Sequence, residues 1–79
     1  MRITAKLFST LRAFVPDYDP EKGVLIDLPA GATVGDLLRH LGIPDGKAPL
    51  VSCNGRMLKS ADPLNERCEV QIFQPISGG

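Results

Sequence analysis

"TVGDLLRHLGIP", Thr33–Pro44, decides the fold. Val34, Leu37, Leu38 and Leu41 recur at i, i+3, i+4 and i+7, which lays one apolar stripe along a helix. Thr33 is a good N-cap, and Asp36 three residues later brings acidic charge to the first turn, a relative of the capping box. Gly42 follows as a C-cap and Pro44 prevents continuation. The spacing predicts one helix over 33–43, with Asp36, Arg39 and His40 away from the stripe. His40 has no carboxylate or nucleophile at usable spacing, so it reads as a solvated helix residue.

A single striped helix needs one partner face, and the flanking sequence supplies strands. "RITAKLFS", 2–9, alternates with Ile3, Ala5 and Leu7 on one side, the period of a half-buried strand. "VLIDLP", 24–29, puts Val24, Ile26 and Leu28 on one face, and pairs with the first strand as a wide hairpin. Residues 10–23 read as a helical turn before Pro16 and then a surface loop. In "PLVSCNGRMLKS", 49–60, Asn54-Gly55 lies between apolar runs and predicts a hairpin. Leu64 pins the loop that follows. "CEVQIFQ", 68–74, closes the list, with Cys68, Val70 and Ile72 facing in and Glu69, Gln71 and Phe73 facing out. The helix packs across the sheet in two layers. Closing the core places the last strand beside the first, mid-sheet. The expected class is α+β: a β-grasp, ubiquitin-like mixed sheet of about five strands with one main helix across it.

With 79 residues there is one domain. A chain of this length buries little over ~60% of its unfolded surface, which leaves small room for an enclosed substrate pocket. Nine basic residues balance nine acidic ones, so no electrostatic footprint for nucleic acid or an anionic membrane is expected. No apolar run approaches a membrane span, and the N-terminus lacks the apolar stretch of a signal peptide. A cytoplasmic protein is expected. Cys53 and Cys68 are too few for a disulfide framework and lack metal-ligand spacing; they read as small buried hydrophobes.

Two features ask for a function. Phe8 and Phe73 sit on the polar side of their strands; if these strands are neighbours, both rings lie on one exposed surface, which Met57 or Leu58 extends. Exposed apolar patches mark interaction sites, and aromatic and Met side chains are enriched there. The second feature is the ending, "PISGG", Pro75 to Gly79. Residues 1–74 are expected to form the domain and 75–79 a flexible tail. Ser77, Gly78 and Gly79 have almost no side chain, so the segment fits a narrow slot. Its reactive group is the Gly79 α-carboxylate, a poor electrophile until adenylated with ATP. No GxxxxGK[ST] loop is present, so the activating site belongs to a partner that needs a docking surface.

The segments "KLFSTLRAFV", "ATVGDLLRHL", "VSCNGRML" and "CEVQIFQPISGG" together resemble the ubiquitin-like sulfur-carrier family, most of all the small subunit of molybdopterin synthase. The resemblance spans nearly the whole chain, and its specific part is the tail. It implies a carrier that is not catalytic by itself and binds no cofactor. A ubiquitin-activating-type adenylating enzyme activates Gly79 with ATP, and a sulfur donor protein converts the adenylate to a thiocarboxylate. The carrier then docks on the large subunit of molybdopterin synthase and gives sulfur to the pterin precursor of the molybdenum or tungsten cofactor. By position, Phe8, Met57 and Phe73 match the family's partner contacts. Gly78 and Gly79 match its functional tail, and Pro75, Ile76 and Ser77 belong with the partner-binding arm. The related thiamine-pathway carrier shares the Gly-Gly ending but is usually shorter and lacks "LFSTLRAFV". Where the family often has Gly-Asp before the last strand, this chain has Arg67-Cys68, and Asn65 is expected to take a left-handed turn position. A ubiquitin-like modifier joined to lysines, and a plain interaction module, are the alternatives.

Overall fold

The computed structural model describes residues 1–44, 49–65 and 68–74. Five strands, β1 (Arg2–Leu7), β2 (Val24–Asp27), β3 (Leu50–Cys53), β4 (Arg56–Leu58) and β5 (Glu69–Phe73), form one sheet, and α1 (Val34–Leu41) is its main helix. The sheet order is β2-β1-β5-β3-β4. β1 and β5 run parallel at the centre, and the other pairs are antiparallel. This is the expected mixed β-grasp sheet, with the last strand inserted beside the first.

Period 2 sorts the strand residues as the alternation predicts. Ile3, Ala5, Leu7, Ile26, Val51, Val70 and Ile72 lie inward and buried. Against them α1 buries Val34, Leu37, Leu38 and Leu41, the whole predicted stripe. Its ends are as read from sequence. The Thr33 backbone N–H donates to Asp36 Oδ2 at 2.9 Å, and the Asp36 N–H donates to Thr33 Oγ1 at 3.3 Å, a full capping box. Gly42 ends the helix at φ 78°, where a residue with a Cβ is strained. Two further helix-start donors reach the loop after β4: Val34 N–H to the Asp62 carbonyl and Gly35 N–H to that of Ser60. Leu64 pins this loop, buried in the core with its N–H on the Ala32 carbonyl.

The β3–β4 turn is built by Asn54 at φ 51° and Gly55 at φ 84°. Positive φ at both central residues suits the twist of a two-residue hairpin. The helical turn expected before Pro16 is a 3-10 helix, Ser9–Phe14, with Leu11 buried beneath it.

Three expectations are corrected. Cys53 and Cys68 are not independent hydrophobes: they are joined as a disulfide with their Cα atoms 5.6 Å apart. The cause is register, since Cys53 lies opposite Val70 and Cys68 is two residues before it on the same face. Asn65 is absent from the described non-glycine residues with positive φ, which are Ser9, Asp17 and Asn54. The Cys68 N–H instead donates to the Asn65 carbonyl at 3.0 Å; Arg67 lies outside the described residues. Leu58 packs against the core rather than extending the outer patch, because it is opposite the inward-facing Val51.

Candidate functional site

The outer face of the sheet carries the candidate site. At one end Phe8, Phe73 and Leu50 form a row across three adjacent strand lines. Leu50 and Phe73 are register partners, and the Phe8 and Phe73 rings stack with centroids 4.7 Å apart and planes 12° from parallel. The next row runs Lys6, Gln71, Ser52, Met57. Ser52 is buried although it faces outward, which the larger neighbours Leu50, Gln71 and Met57 explain. Its hydroxyl donates to Gln71 Oε1 at 3.3 Å. Farther along the face the surface becomes charged, with Lys6–Glu69 at 3.6 Å and Arg2–Asp27 at 3.2 Å.

The two rings are half-buried, not fully exposed as expected. Each covers a face of the other. Exposure is greatest in the aliphatic members, Leu50 at 46% and Met57 at 59%. Leu50 belongs to the patch and was not predicted for it. Period 2 carries the signal: Val51 is buried in the core, so its neighbour Leu50 points outward, beside Phe73. Leu25, more exposed than either, is opposite Thr4 in the edge strand β2, on the charged part of the face and off the patch.

The chain fixes Phe8 from several sides. Its N–H donates to the Ile72 carbonyl at 3.2 Å, carrying the β1–β5 pairing one residue past β1. The preceding Leu7 N–H, beyond the last β1–β2 pair, donates to the Tyr18 hydroxyl at 2.8 Å. The Leu7 carbonyl accepts from Arg12 Nε at 3.2 Å, and the Arg12 guanidinium stands 6.0 Å from the Tyr18 ring centre. Ser9, at φ 55°, turns the chain off the strand line directly after the ring. Tyr18 and Arg12 are thus positioning residues that the loop's turn chemistry did not reveal. On the other ring's side, the Thr10 hydroxyl bonds to the Gln74 side chain, so the residue that leads into "PISGG" is anchored beside the aromatic pair. Pro75, Ile76, Ser77, Gly78 and Gly79 lie outside the described residues. His40 is exposed, as read.

The sequence profile of the ThiS family matches residues 5–79. The chain belongs to the ThiS family. This match takes in the aromatic row, Met57 and the Gly78-Gly79 ending together. Among solved structures, SAMP1 from Haloferax volcanii is similar, with 25% identity over 100% of both chains and a TM-score of 0.73. A second crystal structure, of the small archaeal modifier protein 1 of H. volcanii, is 24% identical over 95% of this chain and 98% of that one, at a TM-score of 0.71. No curated protein matches the sequence. Membership establishes a ubiquitin-like carrier or modifier on a β-grasp fold, the family expected from the sequence. Among the described residues of this ThiS-family chain, no helix is long and apolar enough to cross a membrane.

Proposed function

We propose that this chain is a sulfur carrier whose Gly79 carboxylate is adenylated by a ubiquitin-activating-type enzyme using ATP and then becomes a thiocarboxylate. Residues 1–74 are the docking body, and 75–79 the arm that enters the partner's slot. The observation that carries this reading is the Phe8–Phe73–Leu50 row beside Gln74. An apolar patch at the root of a thin Gly-Gly arm lets one docking event deliver the terminal carboxylate. The body holds the carrier while the arm supplies the chemistry, and the carrier needs no cofactor of its own.

The destination we propose is the pterin precursor of the molybdenum or tungsten cofactor, with this chain as small subunit of a molybdopterin synthase in the cytoplasm. Support comes from the "LFSTLRAFV" segment: Phe8 joins the docking row, and the segment also holds the 3-10 helix that ties the arm's root through Thr10. The direct test is intact-mass measurement after incubation with ATP, a cognate adenylating enzyme and a sulfur source. Replacement of one oxygen by sulfur at Gly79 is expected, and its absence sinks the reading. Conversion of the pterin precursor by the loaded carrier plus a large subunit tests the destination separately.

Likeness to the small archaeal modifier protein favours a second reading, in which the same adenylate passes to lysines of other proteins. Lysine-linked Gly-Gly remnants in digests of the host proteome test that reading.

A further inference from the structure

We propose that Cys53 and Cys68 form a reversible thiol–disulfide exchange site for small thiols and disulfides of the glutathione class. The pair closes the junction where β3 leaves β5 for the β3–β4 hairpin. Both sulfur-bearing residues line an open cavity of about 410 Å³, with Arg56, Met57, Asp62 and Pro63 among the other walls. That volume falls in the range of small-ligand sites. The two cysteines differ in access: Cys68 is 3% exposed, whereas Cys53 is only partly buried. Arg56 is the register partner of Cys53 in β4, and a cation near a sulfur favours its thiolate. Cys53 is therefore the contact sulfur and Cys68 the resolving one.

In the dithiol form, the Cys53 thiolate attacks one sulfur of an external disulfide, whose S–S bond breaks and releases a small thiolate. The Cys68 thiolate then attacks the Cys53 sulfur of the mixed disulfide and expels the second small thiolate. The protein pair loses two electrons and two protons, which the released thiols carry. Reduction runs the same steps backward, with the external thiolate entering at Cys53. Disulfides in reducing compartments are usually transient or redox-sensing, and the open cavity gives this one a route of exchange in the folded state. Met57 is common to the cavity wall and the docking face, so the exchange site adjoins the proposed partner surface.

The test uses the full chain, folded, in buffers spanning reduced to oxidised glutathione, followed by acid quench, alkylation of free thiols and intact mass. The expected result is a reversible shift between doubly alkylated and unalkylated chains, with little stable mixed disulfide. The variant C68S should keep one glutathione bound, and C53S should take it up at least an order of magnitude more slowly. Reduction by a thioredoxin-type dithiol protein but not by glutathione overturns the assignment to small thiols. A pair that neither reagent reduces without denaturant, that stays reduced in oxidised glutathione, or whose two single variants react equally, overturns the proposal. If C53S or C68S fails to fold, the wild-type redox titration still decides it.

Discussion

Phe73→Ala tests whether the aromatic row is both a packing element and a docking anchor. The half-buried ring hides about 100 Å², half of what a buried aromatic covers, worth about 2.5 kcal/mol. Stacking on Phe8 at 4.7 Å adds about 1 kcal/mol. Compaction of the unfolded chain makes these sums upper bounds, so a loss of about 2–3 kcal/mol is expected. At 79 residues, each kcal/mol moves the thermal midpoint by about 6 °C, so the variant should melt about 12–18 °C lower. A domain of this size holds roughly 4–12 kcal/mol in reserve, so it remains folded at room temperature. Truncating a central interface aromatic often costs about 2 kcal/mol, which is about 30-fold in Kd for the adenylating partner. Calorimetric melting and titration calorimetry on the same preparation separate the two effects. A midpoint shift below about 3 °C refutes the packing argument. A folded variant with unchanged Kd refutes the docking one.

Met57→Glu, on an exposed side chain, should leave the melting temperature within about 3 °C yet weaken docking about tenfold; Leu25→Glu, more exposed but off the patch, should leave Kd unchanged. Gly42→Ala should cost about 1 kcal/mol in a denaturant melt, since the backbone is left-handed but the added Cβ meets nothing within 4 Å. Gly23→Ala should cost more, because its Cβ would stand 2.7 Å from the Ala5 carbonyl oxygen. The Thr33 backbone N–H, then the Arg39 side chain, hold the Asp36 carboxyl below its ordinary range. Its folded form titrates lower than its unfolded form, so its contribution is present above about pH 4 and is lost as pH falls through the folded value. Asp36→Asn should therefore flatten the fall in melting temperature below about pH 4.

What was legible in the sequence was local. The Val34–Leu41 stripe, its two caps and the Asn54-Gly55 turn each depend on residues a few positions apart, and the structure keeps them all. Strand faces in β1, β2 and β5 followed from period 2, and with them the outward placement of Phe8 and Phe73; the choice of Met57 over Leu58 came from the β3–β4 register. The misses depend on which strands meet, and in what register. Leu50 joins the patch because it falls opposite Phe73, and the cysteines meet because β3 and β5 run antiparallel there. Tyr18 lies in a loop whose composition announces turns, while its hydroxyl serves a strand eleven positions back. Half-burial of the two rings comes from their contact with each other, which no single strand pattern contains.

The central parallel pair has a consequence for how the protein is made. β1 is complete at Leu7, but its inner partner begins at Glu69. At ~5–20 residues per second a ribosome takes roughly 3–12 s to span that interval, during which β1 lacks its central neighbour. Phe8 and Leu50 meet only across Phe73, so the row assembles after β5 has emerged. On the proposed function, a nascent chain stopped short of β5 presents no docking row to an adenylating partner. The same proposal makes the sheet a check on completeness of synthesis, since the row that would receive the partner exists only in the finished sheet.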